Sequence, residues 1–185
     1  MTNFATVVHE CTDYAAWKKV YDADRPRREA AGLTEVHVLR DVHKPKLIAL
    51  MFTVDDLSRA KELMNSAGLK QAMTAAGIVG PPAIRFRTGD YNKVSAPMYA
   101  TMSVPTKDYA TAMEAYGMDS AERKAATLTD IAVLQEIDDP GNLLLMWTVT
   151  DVARAIRFFD DPKLAEHMVK NAGVIGPPER HFWAP

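Results

Sequence analysis

His9 and Cys11 stand two apart in an extended run, which puts them on one face of a strand. An imidazole there can serve as a general acid or base poised near neutral pH. The alternative is a buried histidine with one satisfied hydrogen bond beside a small apolar cysteine. A Cys–His nucleophile pair needs an orienting third group and a lowered thiol pKa, and the sequence displays neither. His37 alternates with Val36 and Val38, which aims it away from a helix-packed face and makes it a second acid/base candidate. Arg85 and Arg87 share one face of a later short run, and His181 and Trp183 hold the matching places near the C-terminus. Arginine there can hold a carboxylate or phenolate and Trp183 can stack on a ring; the alternative is solvated arginines at an edge and a C-terminal aromatic lid. The candidate catalytic residues are therefore His9 and His37, and the candidate ligand-binding residues Arg85, Arg87, His181 and Trp183.

Other chemistries lack a pattern. The five histidines show no HxH or HxxxH spacing, so no metal site is expected. Haem would need an axial ligand, for which His9, His37, His167 and His181 are all formally eligible and none stands out. No cofactor is expected. His167 is expected on a helix surface, and Arg25-Pro26-Arg27-Arg28 as a solvated helix start. Gly77 and Gly80 run into prolines that lack backbone N–H groups, so they form no phosphate loop.

Composition narrows the class. A hydrophobic fraction of 48% with 25% charged residues is that of a soluble globular protein. A net charge of −2 offers no basic footprint for nucleic acid. No apolar run reaches the roughly 18 residues of a membrane span, and the N-terminus has no basic-then-apolar leader. One cysteine precludes an internal disulfide and fits a reducing compartment. The expectation is a cytoplasmic protein without nucleic-acid or membrane partners.

The elements that must position these residues occur twice. Gly77-Ile78-Val79-Gly80-Pro81-Pro82 returns as Gly173-Val174-Ile175-Gly176-Pro177-Pro178, 96 positions on. Upstream the offset is 95: Asp13-Tyr14 matches Asp108-Tyr109, Tyr21 matches Tyr116, Arg28 matches Arg123, and Met51-Phe52-Thr53-Val54 matches Met146-Trp147-Thr148-Val149. Matches in one register across the chain mean duplication. Each copy reads strand, helix, strand, strand, helix, strand, the split βαβ order of a ferredoxin-like unit. In the first copy Phe4 to Cys11 reads as a strand. Tyr14, Trp17, Val20 and Tyr21 form a helical stripe, and Leu47 to Val54 reads as a central strand. Asp55 reads as a helix cap, and Ile84 to Arg87 as the last strand. The predicted organisation is one repeat over 1–92, a linker over 93–97 and a second repeat over 98–185. Gly89 to Lys93 read as polar connector.

The runs His9-x-x-x-Asp13-Tyr14-x-x-Trp17-Lys18, Arg28-x-Ala30-Ala31-Gly32-Leu33 and Ala76-Gly77-Ile78-Val79-Gly80-Pro81-Pro82 resemble the dimeric α-β barrel superfamily, in particular its cyclase-like, antibiotic-biosynthesis-monooxygenase-like branch. The resemblance covers both halves. It implies two tandem ferredoxin-like repeats packed sheet to sheet as a pseudo-dimeric α+β barrel, with homodimerisation as a further expectation. It also implies a small apolar or aromatic molecule bound between the sheets, with cofactor-independent cyclase, isomerase or monooxygenase chemistry. The opposing expectation is a non-catalytic module with a filled barrel; a haem-binding protein is the third. The copies differ where chemistry was sought: Val104 replaces His9, Ala112 replaces Trp17 and Ala132 replaces His37. A site is therefore expected to be asymmetric.

Overall fold

The computed structural model describes residues Met1–Pro185. Its contacts divide into two compact units, Met1–Arg87 and Thr88–Ala184. The first contains β1 (Thr2–Cys11), α1 (Tyr14–Ala23), α2 (Arg25–Ala30), β2 (Leu33–Asp41), β3 (Leu47–Val54), α3 (Leu57–Asn65), α4 (Ala67–Ala75) and most of β4 (Ile78–Tyr91). The second repeats the order with β5 (Tyr99–Pro105), α5 (Tyr109–Met118), α6 (Ser120–Ala125), β6 (Leu128–Glu136), β7 (Asn142–Val149), α7 (Val152–Phe159), α8 (Pro162–Lys170) and β8 (Glu179–Ala184). Each unit is an α+β ferredoxin-like repeat, and no helix is long and apolar enough to cross a membrane.

In the first unit β3 lies between β1 and β2, antiparallel to both, with Val7 opposite Leu50 and His9 opposite Ile48. Directly opposed residues share a face, so Ala5, Val7, His9, Ile48, Leu50 and Phe52 line one side of this sheet. That side is the one its helices cover. A bulge at Glu35/His37 shifts β2 by one residue, so His37 pairs with Met51 on the other face. In the second unit β7 lies between β5 and β6, with the same bulge at Asp130/Ala132, and β8 joins the free side of β5.

The helices start where acidic or hydroxyl side chains can take up otherwise unpaired amide donors. Asp13 accepts from Ala16 N at 2.7 Å and Asp108 from Thr111 N at 2.8 Å. The cap of α3 is Asp56, which accepts from Arg59 N at 3.0 Å, rather than Asp55. Asp55 N is tied to the Gly32 carbonyl and Asp56 is the residue left extended at the turn.

Two expectations about β4 change. It starts at Ile78, not Ile84, and passes through Pro81-Pro82. Proline removes an N–H but its fixed φ suits extended backbone, so it interrupts a helix without interrupting the exposed first residues of a strand. At the far end Gly89, Asp90 and Tyr91 continue the strand instead of forming a connector. A Cβ on Gly89 would stand 2.4 Å from the Val133 carbonyl oxygen, so this glycine marks close backbone packing, not a loop.

Candidate functional site

In each unit a cavity lies between the sheet and the helices of that same unit. The first measures about 70 Å³; its floor is Val7, His9, Leu50 and Phe52, and Trp17 and Met73 lie over them. One water needs about 10–15 Å³ of such space, so the cavity admits a small molecule. Its wall is nearly all carbon, with a few polar exceptions.

His9 is the first exception. It is 5% exposed, and neither Nδ1 nor Nε2 has a hydrogen-bond partner. Its ring leans on Trp17, centroids 5.6 Å apart and planes tilted by 46°. Burial with no compensating charge lowers its pKa to about 4. The sequence expectation of a group poised near neutrality is therefore corrected: at pH 7 this is a neutral imidazole. Cys11, on the same face, is also buried, which pushes its thiol up. It is no activated nucleophile.

Arg28 is the second. α2 carries it inward, and it is 7% exposed, so the expected solvated helix start is wrong at this residue. Its guanidinium carbon sits 3.7 Å from the centre of the Tyr21 ring, and Nη1 donates to the Tyr21 carbonyl at 2.6 Å. Tyr21 stacks on Trp17 at 4.8 Å and donates its hydroxyl to Glu35 at 2.5 Å. Burial and the bond to Glu35 push the Tyr21 pKa up, so it remains a protonated donor. A continuous run of ring and cation–π contacts thus connects His9, Trp17, Tyr21 and Arg28.

The second unit's cavity, about 60 Å³, is the duplicate of the first with its bulk redistributed. Val104 and Ala112 replace His9 and Trp17, while Trp147 replaces Phe52 and Phe158 replaces Leu63. Its polar groups satisfy one another. Arg123 Nε and Nη2 each reach an oxygen of Asp130 at 3.0 Å, and Nη1 donates to the Tyr116 carbonyl at 2.5 Å. Tyr116 donates to Asp130 at 2.6 Å and accepts from Trp147 Nε1 at 2.8 Å. His167, expected on a helix surface, instead lines this cavity with Nε2 3.3 Å from Asp119 Oδ2.

The other candidates do not join His9. His37 pairs with Met51, which points away from the helices because Leu50 and Phe52 point toward them. Arg87 is buried on that same face, where Nη1 donates to Thr6 Oγ1. Arg85 is exposed and donates from Nη1 to the Ile84 carbonyl at 3.0 Å. In the second unit Trp183 is buried and donates to Thr101 Oγ1 at 2.8 Å, with the His181 ring 4.9 Å from its own. His181 Nε2 lies 3.1 Å from Glu179 Oε1. No three histidine, cysteine or acidic side chains converge as a metal site would require.

Arg28 and Tyr21 escaped the sequence reading although a signal existed. Tyr, Arg and an acid recur seven residues apart in both copies, as Tyr21-Arg28-Glu35 and Tyr116-Arg123-Asp130.

No family model and no curated protein sequence matches this chain. Solved structures do. An anthrone oxidase-like protein superposes with a TM-score of 0.66 at 12% identity, over 99% of this chain and 90% of its own. A candidate monooxygenase from Fusobacterium nucleatum gives 0.60 at 8% identity, over 99% and 91%. One from Lactobacillus acidophilus gives 0.57 at 11%, over 100% and 94%. The chain shares the ferredoxin-type α+β fold of these structures. At these identities the likeness establishes the fold alone.

Proposed function

We propose that the first unit binds a small, largely apolar or aromatic molecule between its sheet and its helices, and that His9 exchanges a proton with it without a cofactor. The observation that carries this is the His9 imidazole: buried, on the wall of a cavity, with both nitrogens unpartnered. An orphaned polar group costs about 1–3 kcal/mol in a folded interior, and a ligand hydroxyl, enol or acidic C–H would relieve that cost. A neutral imidazole offers one donor and one acceptor, which suits an enolisation, ring closure or rearrangement in which a proton leaves one atom and returns to another. The carbon walls suit an apolar ligand, and Trp17 supplies a face for a ring. The description of a structural neighbour as anthrone oxidase-like supports an aromatic ligand.

Deuterium exchange of the acidic C–H of 2-indanone, followed by NMR, tests the reading. His9→Gln should abolish enzyme-dependent exchange with little change in melting temperature. Exchange that persists undiminished in that variant overturns proton transfer by His9. A non-catalytic binding module is the second reading. It is favoured by the second unit, where a cavity of similar size forms with Val104 in the place of His9.

A further inference from the structure

We infer that the ligand of the first unit is an anion, an aromatic or cyclic carboxylate or enolate whose negative oxygen is held by Arg28. This rests on the proposed reading of that cavity as the ligand site. The observation is a difference between two equivalent arginines. Arg28 and Arg123 are both buried, at 7% and 4% exposure, both stack over a tyrosine, and both donate Nη1 to that tyrosine's carbonyl. Arg123 then closes two further bonds on the Asp130 carboxylate. Arg28 closes none. The residue matching Asp130 is Glu35, one methylene longer, and it accepts from the Tyr21 hydroxyl instead. Asp24, also on the cavity wall, gives its carboxylate to Arg27 at 3.1 Å.

A guanidinium withdrawn from water needs a counter-charge and acceptors for its fork of donors. In the second unit the chain supplies them internally. In the first it leaves the fork open on a carbon-lined cavity. A carboxylate or delocalised enolate matches that geometry bidentately, and its ring would lie along the Trp17 wall. His9 fits the same ligand, because an adjacent anion favours the protonated imidazole and so makes His9 a stronger base when the ligand is present.

The test is isothermal titration of the full chain with benzoate and its neutral isostere benzamide. Benzoate should bind the unaltered protein roughly tenfold or more tighter, the factor expected of a charge-assisted hydrogen bond. Arg28→Gln should erase the preference while benzamide still binds. Glu35→Asp guards against a folding failure: it recreates the acid that closes the duplicate site and should let the chain neutralise Arg28 itself. That variant should melt no lower than the unaltered protein and lose the benzoate preference. Equal binding of the two probes, or a preference that survives both Arg28→Gln and Glu35→Asp, overturns the inference and leaves the cavity as a ligand site. Binding of neither probe overturns both.

Discussion

The His9 ring rests 5.6 Å from that of Trp17, and its two nitrogens find no partner. This contact sets the acid–base character of the first unit, because it surrounds a titratable group with carbon.

Stability should therefore fall on acidification. His9 in the fold has its pKa lowered to about 4, against 6.5 for an ordinary histidine. Between those values the unfolded chain takes up a proton that the folded chain does not, so stability drops as pH falls through the window and this contribution levels off below pH 4. The full effect is about 3 kcal/mol. Denaturant titrations at pH 7.5 and pH 4.5 measure it. His9→Val, which installs the residue of the second unit, should flatten the dependence and raise stability at the lower pH.

The two acids of the Tyr–Arg–acid clusters should differ in cost. Burial by itself would raise the Asp130 pKa, but bonds from Arg123 and Tyr116 outweigh it and hold the carboxyl low. Asp130→Asn strips a buried arginine of its counter-charge and should cost about 2 kcal/mol, below the buried-pair range because the carboxylate is half exposed. Glu35→Gln leaves the Tyr21 hydroxyl a neutral amide acceptor in place of a charged one and should cost about 1 kcal/mol. Thermal melts of the pair should rank them in that order.

Gly77 and Gly80 should separate backbone strain from collision. Both have left-handed backbone, φ +69 and +70. A Cβ at Gly77 would stand 2.4 Å from Thr12 Oγ1, while at Gly80 nothing lies within 4 Å. Gly80→Ala should cost about 1 kcal/mol. Gly77→Ala should cost about 1–3 kcal/mol more, and Thr12→Ala in the same chain should recover part of the excess in a double-mutant cycle.

His37 should be separable from the cavity. Because it occupies the opposite sheet face from His9, His37→Gln should leave benzoate affinity within about twofold, as expected of uncoupled sites. A larger change in the same titration would show that the two faces communicate.

The duplication, the element order and the ferredoxin-like units were legible because they rest on period and register. The offset between Met51-Phe52-Thr53-Val54 and its repeat is visible without any structure, and alternation was enough to set His37 apart from Val36 and Val38. Side-chain destinations were less legible. Arg28 lies in a run of three arginines with the composition of a solvated turn, and the Tyr21 ring and carbonyl that hold it inward lie seven positions upstream. His167 has a helical address compatible with either side of α8, and its contacts with Asp119 and the Ala115 carbonyl, about 50 positions upstream, put it on the cavity side. The His9 pKa depends on the absence of partners, which no local pattern encodes. Gly89 looked like loop because its reason for being glycine, the Val133 carbonyl, lies 44 positions away.

The three tryptophans are each at most 1% exposed and occupy three separate surroundings. Trp17 borders the first cavity, Trp147 borders the second with its N–H on a tyrosine hydroxyl, and Trp183 sits on the helix-free face of the second unit. The chain therefore carries one intrinsic fluorophore for each environment. Single-tryptophan versions with phenylalanine at the other two positions would emit from one known place apiece. Trp17 emission would be quenched as His9 takes up its proton, giving an optical titration curve for the residue on which the proposed chemistry rests, with Trp147 as the control; Trp183, whose ring lies 4.9 Å from that of His181, would report on that histidine in the same way.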